Sequence, residues 1–225
     1  MAKIHGVAGE WARIRGMVLG LWPLGLGLFV SGFALAACVV AGRGWGVALL
    51  AAGLATIGWS LYSGIRRVES FYVGARGEER VSNILRSLPE RYHVFNDYVA
   101  GGVHVDHIVV GPAGVYAIET KFWNGAVTVE ESRILVDGRL PTRSPLRQVT
   151  REAALVKAAL AKAGWNGDVT PVLAFASDTF QAHIAEVQGA VVINSCDLPQ
   201  AFATTRIAIA PNELERLVAI METDL

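Results

Sequence analysis

Two uncharged apolar runs near the N-terminus constrain this chain more than any other feature of its sequence. No charged residue occurs from Met17 to Ala41 or, after a short loop that contains Arg43, from Trp45 to Ile65. As helices rising about 1.5 Å per residue, the runs would measure roughly 37 and 31 Å, and the hydrocarbon core of a bilayer is about 30 Å thick. We therefore predict a hairpin of two transmembrane helices, at about residues 17–41 and 45–65.

Buried core helices of a soluble protein would give similar runs, and so would a signal peptide. The first run exceeds the about 7–15 residues of a signal-peptide core, and no small-residue cleavage site with a polar chain follows it. Eleven glycines from Gly16 to Gly64 would weaken soluble helices but let membrane helices pack closely. Spanning helices are therefore favoured, and two pairs have the small-residue spacing of helix contacts: Gly16 with Gly20, and Ala48 with Ala52.

The net charge is zero but divides unevenly near Arg67. Six basic residues and one acidic residue give residues 1–67 a charge of +5, and 14 basic with 19 acidic residues give residues 68–225 a charge of −5. Basic residues precede the first run and follow the second, which by the positive-inside rule places both termini in the cytoplasm. We predict a membrane anchor at 1–67 and a cytoplasmic domain at 68–225, in a multi-pass protein of a bacterial-type inner membrane.

The composition excludes two classes of protein. With 52% hydrophobic and 18% charged residues, the chain is neither a disordered segment nor a strongly basic nucleic-acid-binding protein. The cysteines also exclude one kind of site. Cys38 lies in a predicted span and Cys196 in the domain, so we expect neither a disulfide nor a cysteine metal site.

Residues 68–225 alternate between helix and strand patterns. The second spanning helix is expected to end before Gly74, and a separate amphipathic helix is predicted over 75–88. Strands are predicted at 92–96, 103–110 and 115–121, followed by a hairpin within 126–136 and a helix over 146–163. Strands at 172–176 and 190–194, a helix near 198–203 and a helix from Pro211 complete the pattern. This order predicts an α/β fold, a mixed sheet flanked by helices.

Polar residues occur in two predicted strands where apolar ones are expected. Asp106 lies in the first strand, and Glu119 and Lys121 share one face of the second because side chains alternate along a strand. The turn Pro112-Ala113-Gly114 joins the strands, so Asp106 and Glu119 can lie side by side. Two carboxylates about 4 Å apart repel by roughly 4 kcal/mol at an effective dielectric of 20. A hard divalent cation offsets such repulsion, and Lys121 can reach a water or a phosphate beside it.

The spacing of these three residues resembles the D…ExK pattern of the restriction-endonuclease-like PD-(D/E)xK nucleases. The flanking motifs are similar to those of one branch, the NERD or nuclease-related domain, over about residues 72–160. They are Gly74-x-x-Gly77-Glu78-x-x-Val81, Asp106-His107-Ile108-Val109-Val110-Gly111-Pro112-x-Gly114-Val115, Ile118-Glu119-Thr120-Lys121, and Ser144-Pro145-x-x-Gln148. One departure is that family members usually have Asn-Pro where this chain has Ser144-Pro145.

The resemblance implies a restriction-endonuclease-like fold and hydrolysis of phosphodiester bonds with Mg²⁺ or Mn²⁺. Asp106, Glu119 and Glu78 would bind the metal. Lys121 would orient the attacking water and offset charge in the transition state, and Gln148 would hydrogen-bond the metal's water or the phosphate. Purely structural roles stay open: an exposed ion pair for Glu119 and Lys121, a first-turn acid for Glu78, and a surface helix residue for Gln148. His104 is interpreted as a solvated or core histidine, and His107 as structural.

The leading interpretation is a membrane-anchored nuclease that acts on DNA, with RNA as the second choice. Arg143, Arg147 and Arg151, with Arg139 before them, would form a phosphate-binding stripe if the helix begins early, but a solvated face fits equally well. The alternative is a membrane-tethered, non-catalytic module that binds nucleic acid or protein. A transport role is disfavoured because neither apolar run contains an ionisable group. Specificity, endonuclease or exonuclease action, and oligomeric state stay open.

Overall fold

The computed structural model describes residues 1–40, 43–180, 182–204 and 208–223. It divides into two compact units, which we call the hairpin unit, residues 10–75, and the sheet unit, residues 1–9 with 76–225. The first nine residues, which the sequence placed in the anchor, thus pack with the C-terminal unit. Residues 41–42, in the loop expected between the spans, lie outside the described residues.

The hairpin unit consists of α1 (Glu10–Val40) and most of α2 (Arg43–Leu85). By length and composition, both helices are apolar enough to cross a membrane. Small residues lie where the two helices touch. A Cβ atom on Gly64 would lie 2.6 Å from the carbonyl oxygen of Gly20, so a larger side chain would separate the helices there. Large apolar side chains point outward, with Phe29 73% and Trp45 85% exposed.

The two small-residue pairs predicted from the sequence differ in their position. Gly16 and Gly20 are buried against α2, where Cβ atoms would meet Phe71 and Val68. Ala48 and Ala52 are exposed, so they make no such contact. On α2 the contact is made instead by glycines that lie seven residues apart, Gly46 and Gly53.

The predicted break in α2 before Gly74 is wrong. The helix is continuous from Arg43 to Leu85, so the second apolar run and the predicted amphipathic helix form one element. Gly77 has a packing role within it: its Cβ atom would lie only 2.9 Å from that of Phe122. The absence of a side chain at Gly77 therefore brings α2 close to the residue that follows Lys121.

The sheet unit contains a seven-stranded mixed sheet in the order β1-β2-β3-β4-β7-β9-β8 and a separate two-stranded hairpin, β5-β6. The pairs β1-β2, β4-β7 and β7-β9 are parallel and the others antiparallel. The sheet strands are β1 (Lys3–His5), β2 (His93–Ala100), β3 (Val103–Gly111), β4 (Gly114–Lys121), β7 (Val169–Phe175), β8 (Ile184–Val187) and β9 (Ala190–Asn194). The hairpin is β5 (Val127–Glu130) and β6 (Arg133–Val136), and the helices are α3 (Pro145–Lys162), α4 (Leu198–Thr204) and α5 (Pro211–Thr223). The predicted fold class, a mixed sheet flanked by helices and preceded by two long apolar helices, is confirmed.

Helices cover both faces of the sheet, and β4 contributes side chains to each. On one face, Ala117 packs with apolar residues of α3 and α5, including Val156 and Leu217. On the other, Ile118 packs with Val81 and others of α2. The alternation of β4 therefore places Glu119 and Lys121 on the face that α3 covers.

Strand β1 was not predicted. It pairs in parallel with β2, with Lys3 beside His93 and His5 beside Phe95. The backbone N–H of Lys3 donates to the carbonyl of Tyr92 at 3.0 Å. The N-terminal segment is thereby an edge strand of the same sheet that carries the predicted site.

Candidate active site

Three acidic residues lie side by side across β2, β3 and β4, and we call them the acid row. They are Asp97, Asp106 and Glu119. The β2–β3 register pairs every residue of β2 except Asp97, whose partner by that register is Asp106. Extending the β3–β4 register by one residue beyond the pair His107–Ile118 puts Asp106 opposite Glu119. The β2–β3 ladder is thus interrupted, and the β3–β4 ladder ends, at the same level of the sheet, where the acids lie.

The backbone at Asp97 explains the interruption in β2. Its φ of 55° lies in the left-handed region, which a strand residue rarely adopts. Residues on either side, Phe95 and Tyr98, then contribute to the same apolar cluster, although simple alternation would put them on opposite faces. In β3, Val105 and Ile108 do the same around Asp106. Alternation therefore breaks at both positions.

Asp106 is held by the neighbouring strand. The backbone N–H of Thr120 donates to Oδ2 of Asp106 at 2.7 Å, in place of a ladder bond between main chains. This contact fixes one carboxylate oxygen of Asp106 beside the strand that carries Glu119.

A chain of side-chain hydrogen bonds runs from β4 to α3. The ammonium of Lys121 donates to Oε1 of Glu119 and, at 3.2 Å, to Oε1 of Gln148. The amide of Gln148 in turn donates to Oε1 of Glu152 at 3.0 Å. Gln148 and Glu152 are one helical turn apart, so α3 aims both at the end of β4.

Glu78 approaches the row from α2. Its pKa is affected by the charges of Asp97 and Glu119, and the backbone N–H of Gly9 donates to its carboxylate. Gly9, in the left-handed region with a φ of 74°, ends the N-terminal segment that follows β1. The candidate site therefore draws on β2, β3, β4, α2, α3 and this segment.

Burial and mutual repulsion shift the ionisation of the acids. Burial, with the charges of Asp97 and Glu119, raises the pKa of Glu78 to about 7. Burial, with the charge of Glu119, raises the pKa of Glu152 to about 8. Burial, followed by the charges of Glu119 and Glu78, raises the pKa of Asp106 well above its ordinary value. At neutral pH the cluster therefore retains protons that ordinary surface carboxylates would lose.

Lys121 behaves in the opposite way. Burial alone would lower its pKa, but the charge of Glu119 and the hydrogen bond to it outweigh burial and raise the pKa. Lys121 is therefore an ammonium at all pH values near neutrality. The ammonium of Lys121 thus interacts with the carboxyl groups of Glu119, Asp106 and Glu152.

The structure brings together all five residues predicted from the sequence: Glu78, Asp106, Glu119, Lys121 and Gln148. It adds two that the sequence reasoning missed, Asp97 and Glu152. Glu152 is only 2% exposed, and its Oε2 is buried without a hydrogen-bond partner among the described residues. Its spacing of four residues from Gln148 was a signal that could have identified it. For Asp97 the sequence holds no comparable signal, because a positive φ inside a strand breaks the alternation on which such reasoning depends.

The two histidines near the row have different partners. Nδ1 of His104 lies 3.0 Å from Oδ1 of Asp97. His107 is fully buried against Asn96, with 2.7 Å between Nδ1 and Oδ1, and burial lowers its pKa to about 3. His107 is therefore a neutral residue of the interior, in agreement with the structural role expected for it.

The predicted arginine stripe is divided by the start of α3. The helix begins at Pro145, with the Ser144 hydroxyl accepting a hydrogen bond from the N–H of Arg147 at 3.3 Å. Arg147 and Arg151 lie one turn apart on α3, whereas Arg143 precedes the helix. The condition for one continuous stripe, an early helix start, is therefore not met.

A metal ion is held by carboxylate, imidazole or thiolate side chains that lie close together. Across the described ranges, no group of three or more His, Cys, Asp or Glu side chains is arranged so that it could hold a metal. Mg²⁺, however, is usually bound through one or two carboxylates and keeps several waters. The adjacent carboxylates of Asp106 and Glu119, with elevated proton affinity at Asp106, match that smaller requirement.

Comparison with known proteins gives one match. Residues 73–176 match the model of the nuclease-related domain family, NERD. The matched range contains Glu78, Asp106, Glu119, Lys121 and Gln148, and it confirms the resemblance drawn from the sequence. No curated protein and no solved structure matches the chain.

Proposed function

We propose that this chain is a membrane-anchored nuclease that uses Mg²⁺ or Mn²⁺ to hydrolyse phosphodiester bonds of DNA, with RNA as the second choice. Its residues 73–176 match the nuclease-related domain family. The observation that carries the proposal is the placement of Lys121. Its ammonium lies at the end of the acid row and is hydrogen-bonded to both Glu119 and Gln148. Phosphodiester hydrolysis needs a cation where negative charge accumulates, next to acids that can hold a metal.

Each residue has a role that its surroundings support. Asp106 and Glu119 would hold the metal, with Glu78 from α2 as the supporting acid. When bound, the metal would lower the pKa of a water and polarise a phosphoryl oxygen. Lys121 would orient that water and offset charge on the phosphate. Gln148, which already contacts Lys121, would keep the ammonium aimed at the substrate.

The membrane anchor is supported by the arrangement of the hairpin unit. In the most apolar 18-residue stretch of α1, only 11% is buried, and in that of α2 only 17% is buried. A core helix of a soluble protein would be mostly buried. Here small residues face the neighbouring helix and large apolar ones face outward, as lipid contact favours. We propose an inner-membrane location with the sheet unit in the cytoplasm.

The test uses the full chain in detergent micelles, with single- and double-stranded DNA and RNA as substrates. Cleavage is expected with Mg²⁺ or Mn²⁺ and is expected to stop in excess EDTA. Lys121→Ala should lower the rate by at least about 100-fold, the usual cost of removing one group that stabilises the transition state. Lys157→Ala is the matched control. Lys157 is a lysine of α3 that makes a solvent-exposed ion pair with Asp168 and does not belong to the candidate site.

Thermal unfolding separates loss of chemistry from loss of fold. Lys121→Ala leaves buried Glu119 without its cation and should lower the unfolding temperature, but the variant should remain folded at the temperature of the assay. Activity that persists in EDTA or in Lys121→Ala would contradict the nuclease proposal.

A second candidate function is a tethered binding module that keeps the nuclease-related fold without catalysis. The observation that favours it is that, within the described residues, no three acids are arranged to hold a metal. Titration with Mn²⁺ distinguishes the two. Binding that is lost in Asp106→Asn and Glu119→Gln supports the nuclease, and the absence of binding supports the module.

A further inference from the structure

An open groove of about 690 Å³ begins at the outer end of the acid cluster. Lys121 and Gln148, which belong to the candidate site, are among the residues that line it. The chain that leaves β4 forms one wall, with Trp123, and the chain that leads into α3 forms another, with Arg143. The groove lies wholly within the sheet unit and is continuous with the candidate site.

Trp123 is a fixed aromatic surface in this groove. Its indole packs against the buried ring of Phe175, with 5.5 Å between the ring centroids. Its carbonyl accepts hydrogen bonds from the hydroxyls of Ser177 at 2.7 Å and Thr179 at 3.4 Å. The side chain is half-buried, so part of the indole remains on the groove side. An aromatic held in this way can receive a flat ligand without first losing its own conformational freedom.

The charge of the groove differs from that of the rest of residues 68–225. That part of the chain carries −5 overall, yet none of the described residues that line the groove is acidic, and Lys121 and Arg143 are cationic. Arg143 is exposed. An aromatic side chain that shares a groove with two cations is a combination that binds a single nucleic-acid strand, through base stacking and phosphate contacts.

We propose that the groove binds a segment of single-stranded DNA, with a base stacked on Trp123, a phosphate beside Arg143 and the adjoining phosphate at Lys121. A base inside a duplex has both faces covered by its neighbours, so it must be unpaired or turned out of the helix to stack on a side chain. The groove therefore selects unpaired DNA. This inference rests on the proposed nuclease function, because it places the scissile phosphate at Lys121.

The test measures binding without cleavage. A fluorescently labelled oligothymidine and a duplex of equal length are titrated with the full chain in micelles and EDTA, and anisotropy is recorded. The single strand should bind more tightly than the duplex. Trp123→Leu, which keeps an apolar side chain but loses the aromatic face, should weaken single-strand binding about tenfold, and Trp123→Phe should keep most of it.

Arg143→Ala should also weaken binding and should make the dependence of log affinity on log salt shallower by about 0.7, the value for one lost phosphate contact to a single strand. Arg91→Ala is the control, since Arg91 is exposed on the turn before β2. It should bind like the original chain.

The outcomes separate this inference from the nuclease proposal. Equal affinity for single strand and duplex, or equal affinity of Trp123→Leu and Trp123→Phe, would overturn the groove assignment, whether or not DNA is cleaved. Selective single-strand binding in EDTA without any cleavage in Mg²⁺ would instead overturn the nuclease proposal and leave the groove assignment standing. The unfolding temperatures of Trp123→Phe and Trp123→Leu are also measured. Equal values show that both variants are folded to the same extent.

Discussion

The acids of the candidate site differ from ordinary surface acids because each lies near another carboxyl group and away from water. Glu152 hydrogen-bonds Gln148, and its own pKa is raised further by Glu119. With pKa values of about 7 for Glu78 and about 8 for Glu152, protons leave these groups over the pH range where most enzymes work. A metal ion binds carboxylates and not carboxylic acids, so it must displace the proton of Glu78, and an ionised Glu152 nearby adds negative charge that attracts the cation.

Metal affinity should therefore depend on pH. Both pKa values are raised, so the two groups are protonated at pH 6 and ionised at pH 9, and Mn²⁺ should bind more tightly as pH rises between these limits. Calorimetric titration of the full chain at pH 6, 7.5 and 9 measures this. Glu152→Gln, which cannot ionise, should flatten the dependence above pH 7.5. Equal affinities at the three pH values would contradict the assignment.

Glu152→Gln should also stabilise the sheet unit at high pH. The folded-state pKa of Glu152 lies above the unfolded value of 4.5, so its contribution to stability is fully present below pH 4.5 and is lost as pH rises through about 8. Because glutamine carries no charge, the variant should be equal to the original near pH 4.5 and more stable by roughly 1–3 kcal/mol at pH 9. Thermal unfolding at the two pH values measures this, with the exposed Glu90→Gln as control.

Among the elements, the predictions from sequence succeeded where the signal is local. β3 and β4 were predicted within one residue of their limits because short apolar runs rich in β-branched residues flank the turn at Pro112–Gly114. β1 was missed because it contains only three residues, two of them polar, and its partner lies about 90 residues later. The second spanning helix was expected to end before Gly74, but α2 continues through that residue to Leu85. Contacts that join distant parts of the chain leave no local pattern.

Gly74 and Gly77 of α2 should respond differently to alanine. A Cβ atom on Gly77 would lie 2.9 Å from that of Phe122, whereas one on Gly74 would meet no atom within 4 Å. Gly74→Ala should be neutral or stabilising by up to about 1 kcal/mol, since alanine favours helix. Gly77→Ala should destabilise by roughly 1–3 kcal/mol, because α2 must move away from β4.

Thermal unfolding measures both changes, and Mn²⁺ affinity provides a second readout because Glu78 follows Gly77 directly. Gly77→Ala should weaken metal binding and Gly74→Ala should not. Equal stability of the two variants would show that α2 does not need the close approach to Phe122.

At the scale of the whole molecule, the chain enters and leaves the hairpin unit from the same sheet unit. Residues 1–9 precede α1 and include β1, and α2 continues into residues 76–85 of the sheet unit. If the hairpin crosses a membrane, both of its ends must then lie on one side. The charge distribution agrees, because basic residues flank the two outer ends of the hairpin. Two independent features, strand pairing and charge, thus favour the same topology.

Cysteine labelling in membranes tests this topology. In a background of Cys38→Ser and Cys196→Ser, single cysteines are introduced by Val7→Cys, at a side chain that is 56% exposed in the sheet unit, and by Gly44→Cys, at the start of α2. A third chain keeps Cys196, which is exposed, and carries only Cys38→Ser. A membrane-impermeant maleimide should label residue 7 and Cys196 together in inside-out vesicles and residue 44 only in right-side-out vesicles, with all three labelled after detergent is added. Labelling of residue 7 and Cys196 from opposite sides would contradict the paired arrangement of β1 and β2. Labelling of all three residues from one side would show that the hairpin does not cross the membrane.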